Sequence, residues 1–237
     1  MAIVEVIAAS VVAFCPLVTF GWSFFTPRLA LQALAGAVTW FLGWWLCSVL
    51  YFLFEPEIQS AHFVSLYAPF IFAVCRYGYI LLYRVSYRVW FDPATGSFPS
   101  YFYNSVAVGF GLGACSALTL FLPQIMRIGL GPAWYFAPNC LWFSELLIGS
   151  WLSLLLSVCY VCWSVLGFST LVDSRVYSMT IWSVAILLHV LYAVVPLWGS
   201  GCGARILGPA IVCIISVGLT VICVKRHINM KRRVGAR

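Results

Sequence analysis

Arg76 in FAVCRYGYILLY and His189 in VAILLHVLYAVVP are ionisable side chains set inside long apolar runs. A charge or an imidazole is expensive there, and it marks a partner, a cavity or a proton route. Arg76 is expected to snorkel toward the end of its run, about two helical turns away. The alternative for Arg76 is an ion pair or hydrogen bonds inside a helix bundle. His189 reads either as a packed, hydrogen-bonded side chain or as the wall of a polar cavity. Catalysis would need more. Glu5 and Glu145 are the only acids within the apolar runs, both near run ends, and no paired carboxylates, HExxH or Ser-His-Asp set is present. His62 and His227 map to opposite ends of the runs, which argues against a shared metal with His189. Cys159 and Cys162 form a CxxC in an apolar helix without a βαβ context, so they read as small packing residues rather than a redox pair.

VGFGLGACSALTLF, residues 108–121, offers a second chemistry. Glycines at 109, 111 and 113 can suggest a phosphate-binding loop. That reading requires a preceding strand and an acid about 20 residues later. No acid occurs between Asp92 and Glu145, and the stretch is continuous with an apolar run. As a helix, Gly109, Gly113 and Ala117 stand at successive steps of four, each rotated by about 40°. They form one narrow stripe of small residues, with Gly111 nearly opposite. Such a stripe lets another backbone approach closely, so that van der Waals contact replaces the hydrophobic drive that lipid removes. The approaching helix can belong to a partner or to the chain's own bundle.

The elements that must position these residues are membrane spans. The chain of 237 residues is 64% hydrophobic and 8% charged, with a mean hydropathy of +1.03. Soluble domains carry about 25% charged residues. The class is all-α, a single polytopic membrane domain over residues 1–237. Apolar segments fall at about 2–24, 29–54, 61–83, 104–126, 142–168, 176–198 and 204–224, each the length of a spanning helix. Turn formers separate them, including Pro27, Pro56, Asp92–Pro93 and Gly96. The first run lacks a basic leader and carries Glu5, so it reads as a retained span. Six of the thirteen basic residues lie at 225–237, a short basic tail that fixes topology and can touch anionic lipid; it is not a nucleic-acid signal. With that tail in the cytoplasm and the N-terminus outside, ten Lys and Arg fall inside and only Arg127 and Arg205 fall outside. Cys140 and Cys202 then share the oxidising side, where a disulfide between them is compatible with the topology.

Taken in order along the chain, these features resemble the anterior-pharynx-defective (Aph) subunit family of γ-secretase, a membrane-embedded aspartyl protease complex. The likeness covers nearly the whole chain. It runs through VVAFCP (11–16), ALAGAVTWFLGWWLCSVLYFLF (33–54), CRYGYILLYR (75–84), the stripe Gly109/Gly113/Ala117 and LGP (130–132). Seven spans and an outside N-terminus agree with that family. The resemblance implies a non-catalytic scaffold without cofactor or metal. Its implied partners are a presenilin-like aspartyl protease, a nicastrin-like glycoprotein and the small two-span presenilin enhancer subunit. It also implies residence in endoplasmic reticulum, Golgi and plasma or endosomal membranes, and a part in cleaving single-span proteins, Notch signalling included.

By the same resemblance, Gly109 and Gly113 carry the family's assembly stripe, with Ala117 where the family has Gly. His189 matches the family's sixth-span histidine after a short insertion. With Trp163 as anchor, Tyr160 stands where the family has its fifth-span histidine; a Tyr can still donate a hydrogen bond. The acid that the family has before the third-span Arg is absent, and Ala73 occupies that area, so Arg76 must find carbonyls or lipid phosphate instead. Two rival classes stay open. One is a glutamate-type intramembrane protease, for which only Glu145 and His189 are available. The other is a seven-helix transporter or receptor, although the interrupted paired helices of transporters are not evident.

Overall fold

The computed structural model describes residues 2–21, 26–53, 61–90, 98–127, 136–137, 140–171, 175–198 and 201–235. Among the described residues seven helices follow one another: α1 (Ala2–Gly21), α2 (Pro27–Leu53), α3 (Ala61–Trp90), α4 (Phe98–Arg127), α5 (Glu145–Ser169), α6 (Arg175–Trp198) and α7 (Cys202–Gly235). Six of them, α2 to α7, are long and apolar enough to cross a membrane. In α1 the apolar stretch is the shorter Val4–Cys15. A short antiparallel ribbon, β1 (Phe136–Ala137) and β2 (Cys140–Ser144), precedes α5 and departs from the purely helical expectation. Ser144 ends that ribbon and caps α5, its Oγ accepting from the Leu147 backbone N–H at 3.2 Å.

Helices outrun the apolar segments at several ends. α3 continues to Trp90, α4 begins at Phe98, and α7 carries on through the basic residues to Gly235. The segment 225–237, expected as a separate tail, is thus largely a helical extension of the last span. The reason is physical: hydropathy falls where Lys and Arg begin, but both are good helix formers. The turn residues Asp92, Pro93 and Gly96, the acids Glu55 and Glu57, and the LGP stretch at 130–132 lie outside the described residues.

α4 and α5 form the spine. In each, 61% of the most apolar window is buried, against 28% to 33% in α2, α3, α6 and α7. α4 packs chiefly on α5 and α2; α5 also meets α1 and α7, while α3 bridges α2 and α6. The outer helices keep large apolar side chains exposed, among them Trp44, Trp45, Phe52, Leu82 and Ile214. In a water-soluble protein that surface would be a liability; a helix clothed by lipid presents it as a matter of course.

Candidate functional site

Two features meet on the spine. The first is the glycine-rich helix α4. A Cβ added to Gly109 would lie 2.5 Å from the Val161 Cα, and one added to Gly113 would lie 3.0 Å from the Ser157 Cα. Both are on α5, and Ala117 is fully buried. The stripe left open between a partner and the chain's own bundle is therefore occupied by α5, and direct docking of a partner span on this face is set aside. Gly111, on the opposite side, meets α2: a Cβ there would collide with the Ala33 carbonyl, as one on Gly36 would collide with the Val108 carbonyl. The alternating glycines shave two faces of α4 at once, because residues two apart point about 200° apart on a helix. α5 answers with its own small residues. Ser150, Ser153, Ser157 and Ser164 are all buried, and the Ser157 Oγ–H reaches the Gly113 carbonyl at 3.1 Å. Nothing in the hydropathy of α5 marks that serine face; its spacing of three, four and seven does.

The second feature is an aromatic chamber centred on Trp163 of α5, which is wholly buried. Its indole N–H donates to the Ser216 Oγ of α7 at 3.1 Å. His189 of α6 lies over it, with ring centroids 4.5 Å apart. Tyr160, one turn earlier on α5, meets Trp163 edge to face at 5.6 Å and His189 at 5.5 Å. Phe72 of α3 closes the far side, 6.3 Å from His189 and 5.6 Å from Trp40 of α2. Five helices thus contribute to one chamber.

Arg76 enters the same chamber from α3. The expectation that it snorkels is overturned: it is 1% exposed. Its guanidinium carbon sits 5.7 Å from the Trp163 ring centre and 5.5 Å from that of Trp182 on α6. Cation–π contact with two indoles offers an attraction that snorkelling would forfeit. It does not satisfy the N–H groups. All three guanidinium nitrogens, and Nδ1 of His189, are buried without a hydrogen-bond partner among the described residues. A guanidinium keeps its charge in proteins, so the chamber is a fixed positive charge in a region of low dielectric. Such a group can attract a carboxylate, carbonyl or phosphate oxygen.

The structure thus brings together Arg76, Tyr160 and His189, drawn from three spans, and separates them from the small-residue stripe by less than one turn of α5, since Gly109 abuts the Tyr160 carbonyl. Sequence reasoning used Trp163 only as an anchor and missed Trp182 and Ser216. In a chain with eleven Trp, a single indole gives no signal of its own. Cys159 and Cys162 are free, buried thiols. Cys202 is disulfide-bonded, while the Cys140 side chain, like that of His62, lies outside the described residues. At the opposite end of the bundle from Arg84, the Ser144 hydroxyl donates to the Glu5 carboxylate, and Glu145 pairs with Arg205 at 3.3 Å. Among known proteins, the chain matches no protein-family model and no curated protein.

Proposed function

We propose that this chain is a non-catalytic scaffold subunit of the γ-secretase type. It would hold a presenilin-like aspartyl protease and a nicastrin-like glycoprotein in place for cleavage of single-span membrane proteins. One observation carries the reading. Three residues singled out by resemblance on separate spans, Arg76, Tyr160 and His189, converge on one buried ring, Trp163. A chamber of that kind fixes the mutual rotation of α3, α5 and α6. The α4 stripe would then serve assembly indirectly. It locks α4 to α5 and so holds the outer faces that partners meet, rather than offering a face of its own. The seven-span topology with an outside N-terminus belongs to the same proposal. So does a cytoplasmic placing of the α7 extension, supported by the Lys and Arg bias.

Affinity purification of the full chain in mild detergent, with identification of the bound chains, tests the proposal. Co-purification of an aspartyl protease with two membrane aspartates and of a single-span glycoprotein is expected. A chain that purifies alone, and that cleaves a membrane substrate or moves a solute by itself, would overturn it. A reporter fused after residue 237 is expected to be cytoplasmic; a lumenal reporter would invert the topology.

A further inference from the structure

A groove of about 640 Å³ runs between α3 and α6, and among the residues of the aromatic chamber only Trp182 lines it. Along α3 it extends from Arg84 to Ala73, which at 1.5 Å per residue is about 16 Å. That is about the depth of one leaflet's hydrocarbon, half of roughly 30 Å. Its two ends differ in chemistry. At the rim stand Arg84, Thr170 and Ser178; deeper in, Val74, Leu81 and Ile186 make the walls apolar. Arg84 is exposed and forms no ion pair or hydrogen bond among the described residues. The same end of the bundle carries Lys225 and Arg226, the latter stacked 3.7 Å over the Tyr177 ring. Part way down, on the groove wall, the Trp182 indole N–H is buried without an acceptor.

We infer that this groove is a binding site for an anionic phospholipid. Its phosphate sits at Arg84, and one acyl chain lies along Val74, Leu81 and Ile186. Charge complementarity selects the headgroup, because a basic rim at the membrane surface attracts anionic lipid. The groove's volume falls within the range of about 300–1,000 Å³ that suits a single small ligand, which here is one acyl chain and its glycerol end rather than a whole lipid.

The test uses the full chain in nanodiscs doped with phosphatidylserine or phosphatidylcholine that carries a photoactivatable acyl chain, with crosslinks mapped by peptide mass spectrometry. Phosphatidylserine is expected to label α3 and α6 at the groove about fivefold more than phosphatidylcholine does, the weight of one basic residue near anionic lipid. Arg84→Gln is expected to remove that preference and leave phosphatidylcholine labelling unchanged. Ser183→Trp, which fills the groove, is expected to remove labelling by both lipids. Should Ser183→Trp misfold, the exposed Arg84→Gln decides alone. Labelling spread evenly over the outer helices, a headgroup preference that survives Arg84→Gln, competition by inorganic phosphate without acyl crosslinks, or a protein chain crosslinked in the groove would each overturn the site.

Discussion

The seam between α4 and its neighbours and the chamber around Trp163 share the helix α5, yet they are built on opposite principles. The seam is small and closely packed, and its only orphaned polar atoms among the described residues are the uncharged Ser153 and Ser164 hydroxyls. Its glycines and serines bring backbones together, and the Ser157 hydroxyl lies within reach of carbonyls on both sides, Gly113 across the seam and Ser153 on its own helix. The chamber is bulky and incomplete. Two indoles, Trp163 and Trp182, flank a guanidinium whose nitrogens lack acceptors among the described residues. Close packing leaves little tolerance for added volume, whereas a buried, unpaired charge costs stability and is kept for something other than stability. The seam should therefore fail when enlarged, and the chamber should tolerate loss of its charge.

The seam carries the largest expected effect. Gly111→Leu drives a side chain into the α2 backbone at Ala33, which cannot give as a flexible side chain can. Overpacking costs typically about 1–3 kcal/mol where side chains can yield; driven into the Ala33 backbone, a Leu side chain is expected to cost more than any cavity in the bundle. We expect loss of the monodisperse species in detergent, read by size-exclusion chromatography. Gly113→Ala is the graded version: its Cβ would meet the Ser157 Cα at 3.0 Å, and a loss of roughly 1 kcal/mol is expected. A Gly111→Leu chain as stable as the parent would show that α2 and α4 do not touch as described.

Next comes the hub of the chamber. Trp163→Ala removes a wholly buried indole, its bond to Ser216 and the platform under His189 and Arg76. A loss of about 3–5 kcal/mol is expected, read as a fall in thermal midpoint. His189→Phe keeps a ring on Trp163 and should cost far less than His189→Ala. Equal losses from the two would mean that the imidazole nitrogens matter more than the stacking.

Much of this was legible in the chain, and the failures are instructive. Apolar runs marked seven spans, and six of them are helices long and apolar enough to cross a membrane, because membrane spans must satisfy their own backbone and stay apolar over their length. The period of four at Gly109, Gly113 and Ala117 marked a packing face. It left the occupant open, because periodicity describes one helix and the neighbour is a tertiary fact. Gly111 was set aside as off the stripe, although it shaves the other face of the same helix. Arg76 was expected at an interface, since its stem is long enough to reach one. Two indoles from α5 and α6 hold it instead, and no local pattern records that.

Arg76→Met sharpens the contrast by its sign. Replacing a buried, unpaired charge with an apolar side chain of similar length is expected to leave the isolated chain as stable or to raise its stability by about 1–2 kcal/mol. Co-purification with partner chains should fall at the same time if the charge is kept for assembly. Destabilisation of the isolated chain would mean that the guanidinium already has its acceptors, in ordered water or lipid, and that the chamber is complete without a partner.

The smallest effect belongs to the other arginine–helix contact, Arg205 with Glu145. These charges lie 3.3 Å apart with side chains 28% and 39% exposed. Water solvates both groups, so their coupling in a double-mutant cycle of Glu145→Gln and Arg205→Gln should be about 0.5 kcal/mol or less. It should shrink further in high salt, as exposed pairs do. Arg76 should show no such salt dependence, because ions do not reach a side chain that is 1% exposed. A large, salt-insensitive coupling at Glu145 would place that pair in a dry setting. The distinction between a solvated end of the bundle and an enclosed chamber would then have to be drawn elsewhere.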